Sequence, residues 1–355
     1  MTRIHAAMDD ELLVISSEGG YTRVESRLGG YRPQCLAADP LRPELLYCGT
    51  ADAGLWKSAD GGYTWEPVGE GIASSNVTAV AVSAAERVGE RGSEHGSERG
   101  VVYAGTEPSA LHSSEDGGGS WRELEKMVEL ASYPQWSFPP KPHTSHVRWI
   151  STDPATPGRL FVCIEAGALI HSDDRGQTWR DRVADGPIDT HTLAVRADAP
   201  GRLYSAAGDG VFYAGYGYSE SPDAGASWIR YAEGLAHHYL WGLAVDPADP
   251  DTVVVSAATG PRQAHSPDAA QSTIYRRQGG EPWQEVTEGL PSPEGMISSV
   301  LASNPDEPGV FYALNNHGLY RSPDTGVSWR RMQIPWPERY LRHHPGALVV
   351  SAESR

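Results

Sequence analysis

The sequence predicts an all-β protein, a ring of seven four-stranded blades (a β-propeller), on three observations. An octapeptide recurs along the whole chain, each interval holds the same order of short apolar runs, and the last apolar run completes a first unit that is one strand short. Repeats of about 40–50 residues built from strands mean a propeller or a solenoid. Four short strands per repeat, with no helical periodicity, favour the propeller blade.

The octapeptide first appears cleanly as Ser58-Ala-Asp-Gly-Gly-Tyr-Thr-Trp65. Clean copies follow at 114–121, 172–179, 221–228 and 322–329, and worn copies stand at 16–23 and 276–283. Their last positions are 23, 65, 121, 179, 228, 283 and 329, so the steps are 42, 56, 58, 49, 55 and 46 residues. Within a unit, an apolar run ends in Asp-Pro (36–40, 243–247) or Asn-Pro (300–305). A second follows (45–49, 101–105), then a third (54–57, 318–321), and the octapeptide turns the chain into a fourth. The aspartate accepts hydrogen bonds from the loop's own amides, the glycine supplies unusual backbone angles, and the tryptophan packs between blades.

This motif resembles the Asp-box, or BNR repeat, of sialidases and many other propellers. The resemblance covers essentially the whole chain and implies fold, not activity, because the Asp-box is a structural turn. Runs 2–7, 11–16 and 21–26 supply three strands of the first blade, and 347–351 is expected as its innermost strand. Closing the ring in this way removes open sheet edges. Residues 1–355 therefore read as a single domain. The charged, Gly/Ser-rich stretch 86–100 is expected as a disordered insertion on the octapeptide face. Residues 122–145 are expected as a loop insertion on the opposite face, where 209–219, 260–272 and 335–344 also lie.

The net charge of −17 argues against nucleic acid or an anionic membrane as partner. Three cysteines, Cys35, Cys48 and Cys163, give no disulfide framework. The N-terminal residues lack the apolar run of a signal peptide, so a cytoplasmic setting is expected.

Aligning the blades yields the candidate site. Seven residues before Asp153 stands His146, and seven before Asp198 stands His191. Seven before the box serines Ser172 and Ser114 stand Glu165 and Glu107. Imidazoles with a carboxylate are the ligand types of a mononuclear metal centre. His146, Glu165 and His191 are expected to hold one divalent ion (Zn, Mn or Fe). Glu107 is expected as a further ligand or general base, and His238 or Tyr239 as proton donor. Arg148, two residues after His146, is expected to point the same way. His143, Arg32, Trp136, Asn316 and His317 are expected to bind substrate, with Asn315 and His237 nearby.

The leading expectation is thus a metal-dependent hydrolase or lyase acting on a small polar molecule or sugar acid. Seven-bladed propellers that eliminate across uronic acids are similar in architecture. The alternatives are a glycosidase working through a Glu107–Glu165 pair and a non-enzymatic scaffold. Sialidases are similar in the repeat, but their six blades and arginine triad find no match here. Xyloglucan hydrolases join two propellers where this chain has one. Seven-bladed assembly factors of photosynthetic complexes resemble the scaffold reading.

Overall fold

The computed structural model describes residues 2–18, 21–89 and 98–352. Seven antiparallel sheets follow one another around a ring. Blade 1 is closed by Ala347–Ala352, which pairs with Thr2–Ala7 from Thr2↔Ala352 to Ala7↔Ala347; Leu12–Glu18 and Tyr21–Arg27 complete it. From inside outwards, blade 2 is Pro33–Asp39, Arg42–Thr50, Leu55–Ser58 and Glu66–Pro67. Blade 3 is Val77–Val88, Arg99–Thr106, Leu111–Ser114 and Arg122–Glu123. Blade 4 has Val147–Thr152, Leu160–Ile164 and Ala168–Ser172, its outer strand reduced to the bridge His171↔Arg180. Blades 5, 6 and 7 begin with Thr190–Val195, Tyr239–Val245 and Val300–Ser303.

The five clean octapeptides build one turn. In the copy at 172–179, Ser172 donates to Asp174 Oδ1 at 2.8 Å and accepts from Gly176 N at 2.8 Å, while Thr178 donates its N–H and hydroxyl to the same carboxylate at 2.8 and 2.6 Å. Gly176 has φ of 75°, a left-handed conformation that favours glycine. Between turns, apolar side chains of neighbouring blades interlock. Tyr103 and Leu124 of blade 3 meet Val147 and Ile164 of blade 4, and Tyr204 and Tyr218 of blade 5 meet Val255 and Trp283 of blade 6. Each buried side chain of this size contributes about 1.5–3 kcal/mol. Side chains also lace blades together: Gly100 N donates to Asp39 Oδ2 at 3.0 Å, and Gly309 N to Asp246 Oδ1 at 3.0 Å.

The 86–100 insertion is smaller than expected. Residues up to Val88 and from Arg99 continue blade 3, and Glu86 is buried, accepting from Tyr103 Oη at 2.9 Å beside Arg175 at 2.7 Å. Residues 90–97 lie outside the described residues. Segment 122–145 carries two short 3-10 turns, Glu125–Glu129 and Tyr133–Gln135, and Ser132 ties it to Asp181 at 2.8 Å beside the bridge that closes blade 4.

One local feature positions the site. The pairing of the innermost strand shifts register between Val147 and Trp149, between Thr190 and Thr192, and between Leu240 and Leu243. Such bulges re-aim the extra residue. The residues within these shifts are Arg148, His191, Trp241 and Gly242.

Candidate functional site

Four blades contribute to one cluster near the ring axis. Glu165 sits in the tight turn 164–167, closed by Gly167 N to Ile164 O at 3.0 Å, with Ala166 at φ of 50°. His146 Nε2 donates to Glu165 Oε2 at 2.9 Å, and Arg148 Nε lies 3.7 Å from the same oxygen. Asp189 stands just before the inner strand of blade 5 and accepts Ala166 N at 2.7 Å, so it is tied to the turn that carries Glu165. His191 donates from Nδ1 to Leu240 O at 2.6 Å and brings Nε2 to 3.5 Å from Asp189 Oδ2, an ion-pair contact. One oxygen of Glu165, one of Asp189 and one ring nitrogen of His191 lie within 4.8 Å of one another.

Charges set the protonation of this group. Burial pushes the Glu165 carboxyl up, but the His146 hydrogen bond and the His191, His146 and Arg148 charges outweigh it and hold it below the usual range. For Asp189, burial is likewise outweighed by His191 and by the Ala166 amide. His191 is buried, which lowers its affinity for a proton, yet Asp189 and Glu165 raise it above the ordinary imidazole value. Asp209 behaves oppositely. It accepts Ile188 N and Asp189 N, each at 3.1 Å, and burial first, then the Asp189 charge, hold its carboxyl above the usual range.

An aromatic wall closes the cluster. The Arg148 guanidinium lies 4.2 Å above the Trp241 ring, and His191 packs against Trp241 and Tyr239 at 4.6 and 5.0 Å. Tyr239 donates to His265 Nε2 at 2.7 Å, His265 Nδ1 donates to His344 Nε2 at 2.7 Å, and His344 Nδ1 donates to Pro345 O at 2.9 Å. Arg148 also lines the axial channel, which the inner strands narrow to about 70 Å3.

The sequence-derived site is therefore partly assembled. His146, Arg148, Glu165, His191 and Tyr239 come together. Asp189, Trp241, His265 and His344 join them unannounced. The first two stand two residues from singled-out residues, but the register shifts at 190–192 and 240–243 break the alternation that would have pointed to them. His265 and His344 lie in insertions 260–272 and 335–344. His146 is turned onto Glu165, and Asp189 takes the place expected for it beside His191.

Glu107 belongs elsewhere. Lys141 Nζ reaches it at 3.0 Å and Asn76 Nδ2 donates to it at 3.0 Å, on the wall of a cavity of about 480 Å3 that also includes His143 and Trp136. Trp136 is buried and donates to Ser132 Oγ at 2.9 Å, an anchor of its loop. His238 Nδ1 accepts Gly215 N at 3.3 Å, and His237 Nδ1 pairs with Tyr275 Oη at 2.7 Å, partners outside the cluster. Asn316 accepts Ile297 N at 2.9 Å and donates to Gly295 O and Leu341 O, which occupies its amide with backbone. Asn315 is buried against Ser299, and His317 approaches Gly295 O at 3.1 Å. Arg32 is exposed, 3.8 Å from Asp52.

The class defined by fold and site is thus a seven-bladed propeller with a carboxylate–imidazole cluster at its axis. No family model matches the chain. It is similar to a probable oligoxyloglucan-reducing end-specific xyloglucanase of Neosartorya fischeri, at 26% identity over 76% of this chain and 29% of that protein. It is also similar to a xyloglucanase of Paenibacillus sp, at 25% identity over 53% and 20%. The chain thus spans less than a third of the length of the curated relatives it matches. Among solved structures, the Niastella koreensis GH74 enzyme superimposes with a TM-score of 0.61 at 17% identity, over 84% of this chain and 46% of that one. YCF48 bound to D1 peptide superimposes with a TM-score of 0.55 at 18% identity, over 85% and 82%. These likenesses show the fold.

The relatives correct the leading expectation. They are named xyloglucanases, and the glycosidase alternative fits them better than a metal-dependent hydrolase or lyase. Glu165, Asp189 and His191 have the donor types of a cation site, and Arg148 and the His191 imidazole, whose proton affinity Asp189 and Glu165 raise, stand against the two carboxylates.

Proposed function

We propose that the chain is a glycoside hydrolase module acting on oligosaccharides, with Glu165 and Asp189 as its working carboxylates. The observation that carries the reading is their approach to within 4.8 Å across His191. Retaining glycosidases set two carboxyl groups about 5–5.5 Å apart, and inverting ones about 6.5–9.5 Å. With the nearest oxygens of the two carboxylates no more than 4.8 Å apart, the closer, retaining arrangement is the one we propose. Similarity to proteins named xyloglucanases supports a glucan substrate.

In this reading Glu165, held ionised by His146 and Arg148, attacks the anomeric carbon as the bond to the leaving oxygen breaks. The proton shared by His191 and Asp189 passes to that oxygen. Water then gives its proton back to the pair as it displaces Glu165, regenerating the carboxylate. Trp241 offers an aromatic wall and Arg148 a donor to sugar hydroxyls.

The test is release of reducing ends from xyloglucan oligosaccharides, with product stereochemistry followed by proton NMR. Expected are retention, a loss of at least about 10³-fold in Glu165→Gln and Asp189→Asn, and rates unchanged by EDTA. Folded wild-type protein inactive on xyloglucan, cellulosic and xylan oligosaccharides would overturn the proposal.

A further inference from the structure

The cavity of about 480 Å3 between blades 3 and 4 lies outside the carboxylate cluster and has the build of a ligand site. Its volume falls within the roughly 300–1,000 Å3 of small-molecule pockets. Its one fixed charge is answered from within: Glu107 takes Lys141 at 3.0 Å and Asn76 at 3.0 Å. A neutral ligand therefore suits it better than an ion. Hydroxyl groups line another side, where Ser145 Oγ donates to Ser109 Oγ at 2.9 Å and leaves the Ser109 proton available.

The aromatic wall is anchored through Trp136. The Tyr133 ring, partly exposed, meets the Trp136 edge at 5.1 Å and 69°. Trp136 donates to Ser132, and Ser132 is held in turn by Asp181. A fixed aromatic ring beside a carboxylate, an ammonium, an amide and hydroxyls matches a pyranose, which offers apolar C–H faces and a girdle of hydroxyls that both donate and accept. The cavity also adjoins the cluster. Ser145 on its wall precedes His146, and Phe138 of the same loop packs edge-on to the His146 ring at 4.7 Å.

We infer that this cavity is a saccharide-binding subsite that holds a sugar ring of a neutral oligosaccharide away from the point of cleavage. The inference rests on the glycosidase reading for its purpose, but binding can be measured without turnover. The experiment titrates xyloglucan oligosaccharides of one and two repeat units, and cellotetraose, into the full chain carrying Glu165→Gln by calorimetry. Tyr133→Ala and Glu107→Gln are compared in that background, with thermal unfolding to show that each variant is folded.

Expected is binding of at least one oligosaccharide that weakens 10-fold or more in both variants. In the otherwise native chain, Tyr133→Ala should raise KM for the longer substrate with kcat unchanged. Equal affinity with and without Tyr133 and Glu107 would overturn the subsite and leave the hydrolase reading standing. Cavity-dependent binding by a wild-type chain that cleaves nothing would overturn the hydrolase reading and leave the subsite. No binding of any of the three sugars at millimolar concentration overturns the subsite.

Discussion

Tyr239 donates its hydroxyl proton to His265 Nε2 over 2.7 Å, and that one bond orders everything behind it. His265 must carry its own proton on Nδ1, which it donates to His344, which in turn donates to Pro345 O. Burial, followed by the His344 charge, holds His265 well below the ordinary imidazole value, and burial holds His344 at about 4. Burial and the Glu165 and Asp189 charges hold the Tyr239 hydroxyl well above its ordinary value. All three groups are therefore neutral at pH 7, and the oxygen of Tyr239 keeps its lone pairs for another donor.

This arrangement predicts tautomers. Proton–nitrogen correlation spectra at pH 7 should place the proton of His265 and of His344 on Nδ1 in each ring. Tyr239→Phe should leave His265 Nε2 without its donor in a buried place, lowering stability by about 1–3 kcal/mol. An Nε2–H tautomer for His265, or a doubly protonated ring, contradicts the chain of bonds described.

Gly208 is predicted to be irreplaceable. A Cβ there would lie 2.1 Å from Asp189 Oδ2 and 2.9 Å from His191 Cε1. Gly208→Ala should displace Asp189 while the ring stays folded, and a displacement near 1 Å costs on the order of 10²-fold in rate. Hydrolysis at the wild-type rate in Gly208→Ala would show that Asp189 is not held where the proposal needs it.

Acid should destabilise the ring through His5. This residue of blade 1 is fully buried, donates Nε2 to Gly61 O at 2.9 Å in the first clean turn of blade 2, and leaves Nδ1 without a partner. Burial lowers its value from 6.5 to about 4. The unfolded chain thus binds the proton first, and stability falls as pH drops from about 6.5 towards 4, by about 3 kcal/mol in all from this group. Thermal unfolding across that range should show the decline, and His5→Gln should flatten its slope. An unchanged slope would assign the acid sensitivity to other groups.

The turn aspartates should matter more for stability than for chemistry. Asp60 accepts from Ser58 Oγ, Tyr63 N, Thr64 N and Thr64 Oγ1. Asp60→Ala should lower stability by about 1–2 kcal/mol, discounted for solvent exposure, and leave kcat unaltered. Loss of activity at native stability would give this turn a functional role.

The blade count, the ring closure and half the cluster were legible in the chain, for a local reason. An Asp–Gly turn and a period-two strand are decided by residues a few positions apart, so seven turns count seven blades, and matched offsets bring His146 and Glu165 together. Glu107 shows where that logic stops. It matches Glu165 in register, but Lys141 and Asn76 claim it, because register states height along a blade and not which neighbour a side chain meets.

What the sequence alone determined is the toroid and the rim positions of its polar residues. Tertiary structure decided which of them meet. Bulges at 147–149, 190–192 and 240–243 interrupt the alternation of the inner strands and re-aim Arg148, His191 and Trp241. Two distant insertions deliver His265 and His344 to the same point. A one-residue register shift carries little local sequence signal, and long loops find their contacts only when the ring has closed, so Asp189 became the partner of Glu165 through packing among blades.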